Sequence, residues 1–136
     1  IESIVKIFED RSAGEIAYSI DLPSGMQVKT NKSAFTHILM NLISNATDSI
    51  LNGGEVTISG KNGSSKVLTI TDTGSGIPQQ NLSKIFELAF STKRESGGTG
   101  LGLYIVKELA ERLGIRINVK SELNKGSEFT LVFPEF

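Results

Sequence analysis

The chain has 136 residues, a formal net charge of −1 and no cysteine. This length fits one domain with its own hydrophobic core, and the interspersed charges show no basic face that would predict nucleic-acid binding. The lack of cysteine excludes disulfides and thiolate zinc sites and is compatible with a cytoplasmic setting. No apolar run reaches the length of a membrane span, so we expect no membrane contact by this domain.

The N-terminal third predicts helix, strand and helix. Residues 1–8 carry an apolar stripe at helical spacing with no cap before it, which indicates a piece of a longer protein. "EIAYSIDL" (15–22) alternates like a half-buried strand, and "MQVKT" (26–30) predicts a second, short strand. A long helix is expected from Asn31, its N-cap, to about Leu51, before "NGG".

The remaining residues predict a hairpin, a lid, a helix and a second hairpin. "EVTISG" (55–60) and "KVLTITD" (66–72) form the first antiparallel pair, and "IRINVKS" (115–121) and "SEFTLVFP" (127–134) form the last. Residues 79–98 are polar and glycine-rich over a length that favours a functional lid, and Leu101–Leu113 is amphipathic. Two main helices over about five strands predict an α+β fold, a two-layer sandwich.

The long helix carries a polar line that a purely structural helix does not need. His37, Asn41, Asn45 and Asp48 are spaced so that they stack on one face, between strongly apolar positions. Such a line predicts the wall of a cavity; the alternative is a solvated outer face, where asparagine has little reason to recur. The amide oxygen of asparagine is a hard, neutral ligand that suits Mg²⁺.

"TITDTGSGIP" (69–78) places Asp72 where a buried strand ends and a glycine turn begins. A carboxylate there can accept a hydrogen bond from an exocyclic amine such as that of adenine. Gly74 and Gly76 would let a flat ring lie against the backbone. A plain Asx-turn explains the same residues, and the motif taken alone leaves both explanations open.

"GGTGLGL" (97–103) brings four glycines to the head of a helix, which is unfavourable unless the backbone approaches another group closely. The stretch lacks the Gly-Lys-Ser/Thr ending of a P-loop and the spacing of the dinucleotide fingerprint. Phosphate remains the expected ligand, because the free amides of a helix N-terminus favour anions.

Four motifs together, "NLISNA", "DTGSGIP", "IFELAF" and "GGTGLGL", resemble in order and separation the N, G1, F and G2 boxes of sensor histidine kinases, and more broadly of Bergerat-fold ATPases. The resemblance implies a mixed sheet covered on one face by helices, with a mobile ATP lid at about 79–100. It implies that residues 1–10 end a linker or helix from a missing dimerisation domain and that 11–136 form a single ATP-binding catalytic domain.

The resemblance also implies site residues. Asn45 becomes the Mg²⁺ ligand, Asn41 contacts the phosphate side, and Asp72 binds the adenine amino group directly and through water. Lys93 or Arg94 on the lid supplies the cation for phosphate, and Asn41, Asn45 and Lys93 form the catalytic set. Phe86 and Phe90 pack the base of the lid. The implied ATP-binding residues are Asn41, Asn45, Asp48, Asp72, Gly74, Gly76, Ile77, Phe90, Lys93, Gly98, Thr99, Gly100, Leu101, Gly102, Leu103 and Ser127.

The function implied by the resemblance is transfer of the γ-phosphate of Mg-ATP to a histidine on the dimerisation domain, with a response regulator downstream. Asn41 stands where hydrolysing relatives carry a glutamate base, and an amide cannot accept a proton from water, which favours transfer. His37, inside the helix and followed by isoleucine, is not the expected acceptor. The alternatives are a nucleotide-binding docking module, a related serine kinase and a hydrolysing ATPase. We expect a monomeric, cytoplasmic fragment of a parent protein that is either soluble or membrane-anchored.

Overall fold

A mixed five-stranded sheet with helices on one face organises the part of the chain that the structure describes, residues 1–12, 15–87 and 102–134 of a computed structural model. In chain order, the elements are α1 (Glu2–Ser12), β1 (Ile16–Asp21), α2 (Lys32–Ser49), β2 (Gly54–Asn62), β3 (Lys66–Asp72), a short 3-10 turn (Gln79–Asn81), α3 (Gly102–Leu113), β4 (Arg116–Glu122) and β5 (Gly126–Val132). The sheet order is β1-β2-β3-β5-β4. Strand β1 is parallel to β2 and every other pair is antiparallel, which confirms the predicted α+β class and the mixed sheet.

One face of the sheet is apolar because the strands alternate. In β3, Leu68, Ile70 and Asp72 are buried while the residues between them are half-exposed. Ile70 pairs with Ile58 on one side and Phe129 on the other, so the three side chains share a face. This alternation means that the last inward position of β3 carries a carboxylate instead of an aliphatic side chain.

Helix α2 runs across that apolar face and forms the centre of the core. Ile38, Leu39, Leu42 and Ile43 are each at most 1% exposed. The helix begins as the sequence predicts, because the side-chain oxygen of Asn31 accepts a hydrogen bond from the backbone N–H of Ala34 at 2.9 Å. It ends at Ser49, two residues before the predicted end, where the N–H of the extended Ile50 returns to the carbonyl of Thr47.

The two outer helices pack on either side of α2. Helix α1 contributes Ile4, Val5 and Phe8 to the core and contacts both α2 and β1. Helix α3 contacts α2 and β4 and buries Val106 and Ala110. Within the described ranges, no helix combines the length and the hydropathy that crossing a bilayer would need.

The short strand predicted at 26–30 is wrong, since these residues adopt no regular structure. Their alternation has another cause: Val28 packs its side chain against the core and Met26 lines the apolar pocket beside it, and neither residue pairs with a strand. Leu22 and Met26 lie over Gly60 of β2, where an added Cβ would stand 2.9 Å from Leu22 Cδ2 and 3.0 Å from Met26 Sδ. The Lys66 ammonium donates to the carbonyl of Gln27 and holds this segment in place.

Candidate functional site

The carboxylate of Asp72 lies at the end of β3 and is 3% exposed. Its Oδ1 accepts hydrogen bonds from the backbone N–H of Gly74 at 2.9 Å and from the hydroxyl of Ser49 at 3.2 Å. The first bond is the Asx-turn considered in the sequence analysis, so that geometry is present. A carboxylate is seldom buried to this extent for a turn alone, because its desolvation is costly. The burial and the second donor, from α2, indicate a further role.

The glycines after Asp72 are required by close packing inside the protein. A Cβ on Gly74 would stand 2.0 Å from Ser49 Oγ and 2.7 Å from the Ser49 carbonyl oxygen. Gly76 has a positive φ of 73°, and a Cβ there would stand 2.1 Å from the carbonyl oxygen of Glu122. The Cα of each glycine therefore faces a neighbouring segment, α2 in one case and the β4–β5 turn in the other. Contact with a flat ring stays a prediction for both.

The loop between these glycines is tied to both neighbours by backbone hydrogen bonds. The N–H of Ser75 donates to the carbonyl of Ser49 at 3.0 Å, and the carbonyl of Ser75 accepts from the N–H of Asn124 at 2.7 Å. The loop thus joins the end of α2 to the β4–β5 turn, which restricts its movement around Asp72.

Ser127 lies opposite Asp72 in the register of β3 and β5 and is 6% exposed. Its hydroxyl is 2.9 Å from that of Ser121. Ser121 Oγ accepts from the N–H of Ile77 at 2.7 Å and donates its only hydrogen to the carbonyl of Gly126 at 3.0 Å. Ser127 is therefore the donor between the two hydroxyls, and the pair connects β5 to the loop that follows Asp72.

Ser121 was not singled out from the sequence. The predicted antiparallel pair could have indicated it, because Ser121 and Ser127 are paired residues of β4 and β5. The carbonyl of Ser121 also accepts from the side-chain amide of Gln79 at 3.0 Å, at the point where the predicted lid begins. Ser121 thus holds both ends of the segment from Ile77 to Gln79.

The side-chain amide of Asn41 lies beside Gly102, the first residue of α3. Its Nδ2 is buried and has no hydrogen-bond partner among the described residues, and its Oδ1 lies 3.4 Å from the position of a Cβ on Gly102. Buried donors normally have partners, so this nitrogen indicates an acceptor that binds there. A phosphate oxygen fits that requirement, and the neighbouring helix N-terminus favours the same charge.

The polar line on α2 is enclosed only in its middle. Asn41 and Asn45 are half-buried, whereas His37 and Asp48 are exposed. The line is therefore shielded from solvent only at the two asparagines, and the cavity itself stays a prediction. The reason is tertiary, because α3 begins close to Asn41. The amide oxygen of Asn45, one turn further along α2, suits Mg²⁺ by its chemistry.

The other predicted site residues form two groups: some pack against the core, and the rest lie outside the residues that the structure describes. Ile77, Phe86 and Leu103 are half-buried and pack against the core, and the Phe86 ring meets that of Phe129 edge to face with centroids 6.3 Å apart. Core packing, the simple explanation for Phe86, is thus present. The predictions that lie outside the described residues concern Phe90, Lys93, Arg94, Gly98, Thr99, Gly100 and Leu101.

Comparison with known proteins places these features in a family. Residues 30–136 match the family described as histidine kinase-, DNA gyrase B- and HSP90-like ATPases. The chain is 36% identical to the sensor-like histidine kinase SenX3 of Mycolicibacterium smegmatis, over 96% of this chain and 35% of that protein. It is 40% identical to the aerobic respiration control sensor protein ArcB of Escherichia coli, over 81% of this chain and 15% of ArcB. The chain therefore spans about a third or less of these relatives.

Solved structures agree in fold. The mycobacterial sensor histidine kinase MprB superposes with a TM-score of 0.85 at 26% identity, over 98% of this chain and 90% of that one. Full-length ShkA, in complex with AMPPNP, gives 0.86 at 26% identity, over 98% of this chain and 28% of ShkA. Because the family match covers residues 30–136, the chain belongs to the histidine kinase-, DNA gyrase B- and HSP90-like ATPases, and within them it resembles the catalytic domains of sensor histidine kinases.

Proposed function

We propose that this chain binds Mg-ATP and transfers the γ-phosphate to a histidine on a separate dimerisation domain, as a step of two-component signalling. Its family supports ATP as the ligand, and the names of its relatives support histidine as the acceptor. The observation that carries the proposal is the buried Asp72 carboxylate, which is hydrogen-bonded to the last turn of the helix that also carries Asn41 and Asn45.

At the adenine end, the carboxylate of Asp72 accepts a hydrogen bond from the exocyclic amine, directly and through water. An ionised carboxylate can only accept, so it favours a purine with an amine at this position over one with a carbonyl. The neighbouring Ser127 and the loop from Gly74 to Ile77 shape the slot around the ring.

At the phosphate end, the Asn41 amide nitrogen donates to a phosphate oxygen, and Asn45 holds Mg²⁺ through its amide oxygen. When bound, the metal ion neutralises the charge that develops on the phosphoryl group. The N-terminus of α3, at Gly102, adds partial positive charge. Lys93 or Arg94 supplies a further cation.

Phosphoryl transfer is favoured over hydrolysis because Asn41 cannot activate water as a general base. The acceptor lies elsewhere, since His37 is inside α2 and is followed by isoleucine. Three other functions remain as alternatives: a docking module that binds nucleotide without transfer, a serine kinase and a hydrolysing ATPase.

The partners in this proposal are the dimerisation domain of the parent protein and, downstream, a response regulator. The fragment acts as a monomer in the cytoplasm, without nucleic acid or membrane contact of its own. Residues 1–10, all but the first of which lie in α1, form the end of the linker or helix that leads in from the dimerisation domain. The relatives support this arrangement because the chain aligns with only part of each.

The test is a phosphorylation assay with radiolabelled Mg-ATP, this domain and the dimerisation domain of its parent protein. We expect label on the dimerisation domain that is lost in acid and retained in base, as phosphohistidine requires. Acid-stable label would support a serine kinase, free phosphate without label would support an ATPase, and bound nucleotide with neither product would support the docking module. Asp72→Asn is the matched variant, and it should lose ATP binding and labelling together.

A further inference from the structure

Ser49 is the last residue of α2 and lies against the Asp72 carboxylate. We infer that Ser49 is a positioning residue, which orients the Asp72 carboxylate toward the amino group of adenine and so sets the preference for adenine over hypoxanthine. This inference rests on the proposed function, because it assumes that the purine ring binds at Asp72.

The hydroxyl of Ser49 has one hydrogen and two acceptors. Its Oγ is 2.7 Å from the carbonyl of Ala46 and 3.2 Å from Asp72 Oδ1, as in a three-centre hydrogen bond. Gly74 donates to the same Oδ1 from the other side of the turn, at 2.9 Å. Two donors on one oxygen, from two different segments, hold the plane of the carboxylate in one orientation.

The close approach of Ser49 depends on the backbone around it. A side chain at Gly74 would occupy the space of the Ser49 hydroxyl, because its Cβ would stand 2.0 Å from Oγ. The carbonyl of Ser49 accepts from the N–H of Ser75, so the residue contacts the loop through both its side chain and its backbone. The hydroxyl can therefore be removed while the backbone contact remains.

A fixed carboxylate matters more for one ligand than for another. An amine at position 6 of the purine gains a hydrogen bond only if the acceptor points at it, whereas the carbonyl that hypoxanthine carries at this position cannot donate in either orientation, and its nearest donor is the neighbouring N1–H. Loss of an orientation that suits the amine should thus weaken the binding of ATP more than the binding of ITP. A residue that only stabilises the fold would affect both nucleotides equally.

Thr47, two residues before Ser49 in the last turn of α2, offers a matched control. Its hydroxyl also joins α2 to the sheet, through a hydrogen bond of 3.0 Å to the hydroxyl of Tyr18 on β1, and within the described ranges no hydrogen bond joins Thr47 to Asp72. Thr47→Val removes a hydroxyl from the same turn of the helix at nearly constant volume. It should change stability without changing the choice between nucleotides.

The experiment measures the Kd of ATP and of ITP with Mg²⁺ by calorimetry, for the wild type, Ser49→Ala and Thr47→Val. In Ser49→Ala we expect the ratio of the ITP Kd to the ATP Kd to fall about 3- to 10-fold, as the loss of one hydrogen bond predicts. Thr47→Val should keep the ratio within about 2-fold of the wild type. Alanine is a good helix former, so α2 should persist in Ser49→Ala. If that variant does not fold, Ser49→Cys, with a weak donor, should give a ratio between those expected for alanine and serine.

The inference is overturned if the ratio stays at the wild-type value in Ser49→Ala, or falls as far in Thr47→Val. It is likewise overturned if Ser49→Cys is the variant measured and keeps the full ratio. A wild type that binds neither nucleotide would contradict the proposed function instead. A wild type that prefers ATP, together with an unchanged ratio in the variant, would contradict only the role of Ser49.

Discussion

Gly74→Ala should destabilise the domain although Gly74 has no unusual backbone angle. The new Cβ would stand 2.0 Å from Ser49 Oγ and 2.7 Å from the Ser49 carbonyl oxygen, where ordinary contact begins near 3.4 Å. The hydroxyl could rotate away only by giving up its bonds to Ala46 and Asp72. The carbonyl oxygen cannot rotate, so the loop must move and strain the bond from Ser75.

The expected magnitude follows from these two effects. Overpacking at a tight site costs about 1–3 kcal/mol, and each hydrogen bond lost adds about 1 kcal/mol. We therefore expect the free energy of unfolding to fall by about 2–4 kcal/mol in Gly74→Ala. Urea unfolding without nucleotide, followed by circular dichroism, measures it directly.

Gly63→Ala is the matched control. This glycine, in the β2–β3 turn, also lacks a positive φ, and the nearest atom to an added Cβ is 4.0 Å away. Here the substitution should be neutral or stabilise by up to about 1 kcal/mol, because it lowers the entropy of the unfolded chain. If Gly74→Ala were as stable as Gly63→Ala, the packing of Ser49 against this loop would not be a steric requirement, and the argument from its distances would fail.

Substitutions at three further residues test the site and the fold. Asn41→Ala removes a buried donor that has no partner in the described structure, so the free energy of unfolding without nucleotide should change by less than about 1 kcal/mol. Calorimetry should show an ATP affinity at least about 10-fold lower. A large loss of stability would show instead that the amide serves the fold. Asn31→Ala should lower the free energy of unfolding by about 1 kcal/mol, and Asn31→Asp should not, because aspartate also caps a helix. If urea unfolding shows the same loss of stability in both variants, the N-cap is contradicted. Asn45→Ala should weaken ATP binding mainly when Mg²⁺ is present, and the same loss in EDTA would remove Asn45 as the metal ligand.

Local patterns predicted most of the fold. The capping residue at Asn31, the alternation along β3 and the two antiparallel strand pairs each depend on near neighbours, and the structure confirms them. The alternation at Met26 and Val28 was misleading, because a strand needs a partner as well as a pattern. The Val28 side chain reaches the core and that of Met26 lies over Gly60, both from a segment without strand pairing, which no local signal distinguishes from an edge strand.

The sequence singled out part of the candidate site. Asp72 was singled out because a carboxylate that ends a buried strand breaks the apolar pattern, and Asn41 because asparagine is unusual within an apolar helix. Ser121 was missed, since its importance lies in hydrogen bonds to Ser127 on the paired strand and to Ile77 in the loop after β3. The exposure of His37 could not be read from its spacing either, because helical periodicity shows which residues share a face but not which part of that face another helix covers.

The sequence by itself therefore determined most of the elements and the family, because these depend on spacing along the chain and on side-chain type. Only the tertiary structure decided why Gly74 must be glycine and what holds the Asp72 carboxylate. Both answers involve Ser49, which is more than twenty residues away in the chain and comes within hydrogen-bonding distance only when α2 packs across β3. Contacts of that kind are set by how the layers meet, and no local pattern encodes them.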